Sequence, residues 1–88
     1  MQVVTTRQFE KDAEKELNKK LQQQLADIIE KIQMSDHLLE IPNLKKMAGY
    51  KNAYRIRFGE YRIGFIFENN TIILSRVMNR KEIYRYFP

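Results

Sequence analysis

The chain has 88 residues, of which 43% are hydrophobic and 11% aromatic. This is enough for one small core and argues against wholesale disorder. It contains no cysteine, which excludes disulfide cross-links, and no cluster of metal-ligating residues. The first six residues are too few and too polar for a signal peptide, and no apolar run approaches the roughly 20 residues of a membrane span. The sequence therefore predicts a single cytoplasmic, soluble domain spanning residues 1–88.

Charge is distributed unevenly along the chain, whose formal net charge is +5. Residues 1–44 carry six Lys/Arg and eight Asp/Glu, a net charge of −2, whereas residues 45–88 carry ten and three, a net charge of +7. Six of the seven arginines lie in this second half, and a planar guanidinium suits phosphate better than an ammonium does. The second half is thus predicted to face a polyanion, which could be nucleic acid, an anionic membrane or an acidic protein.

The N-terminal half predicts one strand followed by two helices. Residues 2–5 are β-rich, and Thr5 followed by Gln8 resembles a helix capping box. Two apolar stripes at helical spacing come next, with Asn18 as the candidate cap between them, so we expect a helical hairpin. The stripes consist of Phe9, Ala13 and Leu17, and of Leu21, Leu25, Ile28, Ile29 and Ile32.

Residues 35–52 are predicted to be an irregular connection, because Pro42-Asn43 and Ala48-Gly49 are typical of turns. His37, the only histidine, has no catalytic or metal-ligating partner nearby in sequence and is interpreted as an exposed loop residue. Lys45 and Lys46 would either contact phosphate or remain solvated.

From residue 53 the apolar period changes to two, which indicates strands. Gly59-Glu60 and Asn69-Asn70 are two-residue hairpin turns, so the pattern predicts a three-stranded antiparallel meander. Residues 79–88 form a polar-aromatic tail that could be a short helix or a strand. The predicted fold class is α+β, with an N-terminal strand, a helical hairpin, the meander and the tail.

A two-residue loop at Gly59-Glu60 fixes which residues share a face of the sheet. One face is apolar and is expected to pack on the helices; it consists of Tyr54, Ile56, Phe58, Tyr61, Ile63 and Phe65. The other face carries Arg55, Arg57 and Arg62, with Gly64 leaving an open floor beside Arg55. Like charges on one sheet face are destabilising, so we interpret these arginines as a binding site rather than as ordinary solvated surface.

The last strand and the tail add further cations and tyrosines. Arginine clamps phosphate, and tyrosine stacks on a base or donates its hydroxyl. The sequence leaves the face of Arg76 open, because a simple turn places it with the apolar residues and a bulge returns it to the arginines. Phe87 is expected to pack internally. The predicted RNA-contacting residues are Lys45, Lys46, Arg76, Lys81, Arg85 and Tyr86.

Four short motifs carry a family resemblance. They are Leu-Lys-Lys-Met-Ala-Gly at residues 44–49, Tyr-Arg-Ile-Arg at 54–57, Gly-Glu-Tyr-Arg at 59–62 and Arg-Lys-Glu-Ile-Tyr at 80–84. Together they resemble the RelE/ParE family of bacterial toxins, the toxic halves of type II toxin–antitoxin systems, and the RelE branch more closely than the ParE branch. The resemblance covers essentially the whole chain.

The resemblance implies a ribosome-dependent mRNA endoribonuclease that needs no metal or other cofactor. Its partners would be a cognate antitoxin, the ribosome and mRNA, with no membrane. The ribose 2′-hydroxyl would attack the adjacent phosphate. The residues that match the family's catalytic positions are Arg55, Arg57, Arg62, Arg80 and Tyr84. The best-known members carry lysines where this chain has Arg55 and Arg57, and arginine cannot act as a general base. Either Tyr84 is the base, or catalysis depends on electrostatic stabilisation and on positioning by the ribosome.

Two other functions remain open on the sequence alone. The ParE branch poisons DNA gyrase without catalysis, which would explain a site without a clear general base. A basic binding module that engages an acidic partner would explain the charge without toxicity.

Overall fold

The computed structural model describes all residues 1–88 and confirms the α+β class. The three helices are α1 (Arg7–Glu16), α2 (Lys19–Met34) and the short α3 (Ile83–Tyr86), and a 3₁₀ turn spans Leu38–Glu40. The five strands are β1 (Gln2–Thr5), β2 (Leu44–Lys46), β3 (Ala53–Phe58), β4 (Tyr61–Glu68) and β5 (Thr71–Asn79). None of the helices is long and apolar enough to cross a membrane.

All five strands form one sheet in the order β1-β5-β4-β3-β2. The predicted meander of β3, β4 and β5 is confirmed. The register of β3 against β4 that the two-residue loop at Gly59-Glu60 predicts is correct at the four pairs from Phe58–Tyr61 to Arg55–Gly64. β1 lies parallel to β5. The irregular connection predicted for residues 35–52 is wrong at residues 44–46, which pair with β3 as the edge strand β2. Three residues are too few to show the two-residue period of a strand. These residues are extended because they pair with β3.

Side-chain caps set the starts of both long helices. Asn18 caps α2 as predicted, its side-chain oxygen accepting from the Leu21 N–H at 2.9 Å. The prediction of Thr5 as the cap of α1 is wrong by one residue: Thr6 is the cap and accepts from the Phe9 N–H at 3.1 Å. Thr5 is still paired within β1 and donates to Glu10 at 2.6 Å.

The main core lies between α1, α2 and one face of the sheet, and the predicted apolar face is confirmed. Phe65 is fully buried and stacks on Tyr54, with 5.4 Å between ring centroids. The buried residues from the helices are Phe9, Leu17, Leu25 and Ile32, and those from the sheet are Ile56, Phe58, Ile63, Phe65, Ile72, Leu74 and Val77.

A second, smaller cluster lies on the opposite face of the sheet, where the tail folds back as α3. Ile83 and Phe87 pack against Ala53, and Ile66 and Met78 line the same cluster. The open floor expected at Gly64 is wrong. A Cβ built on Gly64 would lie 2.5 Å from the Phe87 ring, so the missing side chain is the space that Phe87 fills.

Candidate nucleic-acid interface

Three arginines converge on the sheet face opposite the main core. Arg57 lies directly opposite Arg62, and Arg55 opposite Gly64, so all three side chains leave the same face. The short edge strand β2 extends this arrangement, because Lys45 pairs with Arg55. We call Lys45, Arg55, Arg57 and Arg62 the arginine cleft. These four residues, with Asn43 and Leu44, line an open depression of about 330 Å³.

Neutral acceptors hold two of these guanidinium groups. Arg62 donates from Nη1 to the carbonyl oxygens of Gly59, at 3.0 Å, and of Tyr61, at 2.9 Å. Arg57 donates from Nη2 to the side-chain oxygen of Asn43 at 3.3 Å. Arg55 has no hydrogen bond or ion pair to another side chain. No carboxylate neutralises the cleft, so its positive charge remains available to a bound anion.

Electrostatic crowding shows that the predicted site residues surround Arg62. Burial lowers the pKa of Arg62 below its ordinary value, and the positive charge of Arg55 lowers it further. Tyr84 acts in the opposite direction and raises this pKa, while Arg80 and Arg57 add to the lowering. A cluster that disfavours its own positive charge would be relieved by an anion, and a phosphate placed among these groups supplies one.

The tail brings two more predicted residues to the arginine cleft. Tyr84 is 55% exposed and lines a second depression, of about 200 Å³, together with Lys45 and Arg55. Arg80 lies at the start of the tail, where its Nε is 3.2 Å from a carboxylate oxygen of Glu60 in an exposed ion pair. The buried side chains of Ile83 and Phe87 anchor α3 and so place Tyr84 beside the cleft.

Arg76 takes a structural position instead. A bulge at Ser75 puts Arg76 opposite Gly64, so the bulge alternative holds and Arg76 shares the arginine face. Its guanidinium, however, forms two bonds to Asp12 on α1, at 2.7 and 3.0 Å, and lies 5.2 Å from the ring centroid of Tyr86. Arg76 and Tyr86 therefore join α1, β5 and α3, and the structure does not bring them into the cleft.

The ion pair between Asp12 and Arg76 lies at the part of β5 that β1 does not cover. β1 pairs with β5 only as far as Leu74, and α1 then runs beside the remainder of β5. The Asp12 carboxylate accepts from the Val77 backbone N–H at 3.2 Å as well as from Arg76. The carboxylate thus satisfies an edge donor that no strand reaches.

The other predicted contacts lie outside the cleft. The Lys46 ammonium donates to the Tyr50 carbonyl, although its side chain borders the second depression. Arg85 is exposed and lies 3.8 Å from Glu82. Lys81 and Arg85 line neither depression, and His37 is exposed. RNA contact by these residues stays a prediction.

Sequence reasoning missed two residues of this site. Asn43 was interpreted only as a turn residue, and Glu60 only as part of a hairpin. Asn43 lies across the extended β2–β3 pairing from Arg57, and Glu60 forms an ion pair with Arg80. No local motif reports either contact. The backbone φ of +63° at Asn43 is consistent with the turn signal.

Comparisons with known proteins agree with this geometry. Residues 3–84 match the family model described as the ParE toxin of the type II toxin–antitoxin system, parDE. The chain is 43% identical over 89 residues to Toxin RelE3 of Methanocaldococcus jannaschii, covering all of both chains. The relative is archaeal, so the expectation of a bacterial family was too narrow.

Solved structures show the same fold. The chain superposes on the RelB-RelE antitoxin–toxin complex from Methanococcus jannaschii with a TM-score of 0.81 at 40% identity, covering 97% of this chain and 99% of the other. The archaeal RelE-RelB complex from Pyrococcus horikoshii OT3 gives a TM-score of 0.71 at 19% identity, with 90% and 93% covered. The chain therefore belongs to the RelE/ParE family and is a RelE-like toxin of a type II toxin–antitoxin system.

Proposed function

We propose that this toxin is an endoribonuclease that cleaves mRNA on the ribosome, in the cytoplasm, without a metal ion. The observation that carries the proposal is the arginine cleft. Three guanidinium groups lie on one sheet face, two of them are oriented by neutral acceptors, and an exposed tyrosine adjoins them. A phosphate is the ligand that such a group of donors fits best.

The reaction is attack of a ribose 2′-hydroxyl on the adjacent phosphorus. The bond from the 2′-oxygen to phosphorus forms, the bond from phosphorus to the 5′-oxygen breaks, and the products are a 2′,3′-cyclic phosphate and a 5′-hydroxyl. Arg55, Arg57 and Arg62 stabilise the charge that develops on the phosphoryl oxygens. Arg80, at the start of the tail, would add to this positive field once RNA displaces its exposed ion pair with Glu60.

Lys45 and Tyr84 are the groups in this cluster that can exchange a proton with the nucleophile, and we propose Tyr84 as the base. Arginine stays protonated and cannot act as the base. Tyr84 lies beside Lys45 and Arg55, and its hydroxyl would accept the proton of the 2′-hydroxyl. The ribosome would supply the remaining alignment of the attacking oxygen with the leaving oxygen.

The partner of this toxin is proposed to be a cognate antitoxin with an acidic segment. Both solved structures described above are complexes of RelB and RelE. The net charge of +7 on residues 45–88 would attract such a segment, which could cover the arginine cleft and exclude RNA.

The test is induction of the toxin in growing cells, with mapping of mRNA 5′ ends. We expect growth arrest with cleavage in phase with codons. Arrest without phased cleavage would exclude the proposal. Arg62→Ala and Arg80→Ala should each restore growth without unfolding the protein. Arg7→Ala, an exposed arginine on α1 that lines neither depression, is the matched control and should stay toxic.

The same variants distinguish mRNA cleavage from gyrase poisoning. Gyrase poisoning is the alternative function because the chain matches a ParE family model. Purified gyrase should supercoil DNA normally in the presence of the toxin. Inhibition that Arg62→Ala abolishes would favour the ParE-type activity instead.

A further inference from the structure

We infer that Asn43 is a positioning residue, which aims the Arg57 guanidinium into the arginine cleft without neutralising it. The inference deepens the proposed function and rests on it for the activity readout. Neither the sequence motifs nor the catalytic positions carried over from the family include Asn43.

Asn43 is tied to Arg57 at two points. The Arg57 backbone N–H donates to the Asn43 carbonyl at 3.1 Å, which continues the pairing of β2 and β3 by one residue. The Arg57 side chain donates from Nη2 to the Asn43 side-chain oxygen at 3.3 Å. Because the Leu44–Ile56 and Lys45–Arg55 pairs precede this step in the same register, Asn43 and Arg57 are neighbours on the face that carries Arg62.

The backbone conformation of Asn43 suits this task. Its φ of +63° lies in the left-handed region, which asparagine and glycine tolerate best among the amino acids. Of these two residue types, only asparagine has a side-chain hydrogen-bond acceptor. The local turn therefore admits a residue type whose amide oxygen reaches the guanidinium of the strand beside it.

The chemistry of the acceptor separates Arg57 from the structural arginine of this fold. Arg76 is held by the Asp12 carboxylate, and its charge is thereby compensated. Arg57 is held by a neutral amide, so the charge stays available to phosphate while the long side chain is ordered before the ligand arrives. Ordering one such side chain in advance removes part of the entropy cost of binding, which corresponds to a roughly 3- to 10-fold gain in affinity.

Three variants isolate the effect. Asn43→Gly keeps the positive φ and the main-chain bond to Arg57 but removes the amide. Asn43→Asp keeps an acceptor oxygen but adds a negative charge inside the cleft. Asn70→Gly is the matched control, because Asn70 also has a positive φ, +55°, and is exposed in the turn between β4 and β5.

The first measurement needs no activity at all. NMR order parameters of the arginine Nε–H groups should fall for Arg57 in Asn43→Gly and stay unchanged in Asn70→Gly. An Arg57 that is as mobile in the wild type as in Asn43→Gly overturns the inference, whatever the protein does to RNA.

The second measurement is binding of a 2′-O-methylated oligoribonucleotide, which cannot be cleaved, together with the rate of mRNA cleavage on ribosomes. Asn43→Gly should weaken binding and slow cleavage about 3- to 10-fold, and Asn43→Asp should do so at least as strongly despite its retained acceptor. In the Arg57→Ala background, Asn43→Gly should have no further effect, because Asn43 acts through Arg57.

Equal losses from Asn43→Gly with and without Arg57 would show that Asn43 acts by another route and would overturn the inference. A wild-type protein that binds the oligonucleotide without cleaving mRNA would exclude the proposed function alone, since the binding cycle still decides the role of Asn43. If the wild type does not bind RNA either, the order parameters decide it.

Discussion

The two faces of the sheet are built from the same strands and serve opposite purposes. On the face under α1 and α2, Ile63 and Phe65 are fully buried, and alternate residues of β3 and β4 contribute to the core. On the other face, α3 covers only the end near Ala53 and Gly64 and leaves the arginine cleft exposed. Stability is thus concentrated on one face, which frees half of the other to carry charges that repel one another.

The arginines of the exposed face repeat this division on a smaller scale. Arg76, bonded to a buried carboxylate, joins three elements of the fold. Arg62, bonded only to carbonyl oxygens, retains its full charge. The kind of acceptor, more than the location on the sheet, separates an arginine that stabilises the fold from one that is available to a ligand.

The largest expected effect is on the covered face. Phe65→Ala removes a fully buried ring and should lower the free energy of unfolding by about 3–5 kcal/mol. Urea denaturation measures this, with Phe65→Leu as a control that keeps most of the volume. A loss of RNA cleavage below the unfolding transition would show that the two faces are not independent.

The next largest effect is expected for Asp12→Ala, which should lower the free energy of unfolding by about 3 kcal/mol. The substitution leaves the Arg76 guanidinium and the Val77 N–H without their acceptor, and we expect the low end of the range for breaking a buried ion pair because the Arg76 side chain is still 19% exposed. Denaturation of Asp12→Ala and of Asp12→Ala/Arg76→Met measures it. The double variant should regain part of the loss, and a second variant as unstable as the first would contradict this role.

Gly64→Ala should lower the free energy of unfolding by about 1–3 kcal/mol, because the added methyl group would overlap the Phe87 ring. We expect α3 to detach and Tyr84 to leave the cleft, so cleavage should fall further than stability. Hydrogen exchange of the α3 amides reports the detachment. In a Phe87→Ala background the same substitution should cost little, and an unchanged cost there would mean that the ring is not the obstacle.

The smallest expected effect is an increase in the free energy of unfolding. Arg55 has no partner and its charge lowers the pKa of Arg62, so Arg55→Gln should raise the free energy of unfolding by about 0.2–1 kcal/mol while weakening RNA binding. Thermal melts at low and high salt measure both the gain and its screening. Lys51→Gln, an exposed cation that lines neither depression, is the control. A destabilised Arg55→Gln would show that the arginines of the cleft do not strain the fold.

Strand register was predictable where a short turn fixed it and no bulge followed, as between β3 and β4. The two-residue loop at Gly59-Glu60 leaves one way to pair β3 with β4, and side-chain alternation then places Arg55, Arg57 and Arg62 on one face, as the structure confirms. The helical hairpin followed in the same way from apolar stripes at helical spacing. Both signals are local, because they depend on residues within a few positions of one another.

The chain's own sequence therefore determined its fold class, the apolar and cationic faces of the sheet, and the toxin family. Only the tertiary structure decided which cationic side chains have no carboxylate partner. Partners of Arg57, Arg76 and Gly64 come from segments 14, 64 and 23 residues away along the chain. Whether a guanidinium meets an amide, a carboxylate or solvent depends on how those segments pack, and no period or motif in the sequence encodes that contact.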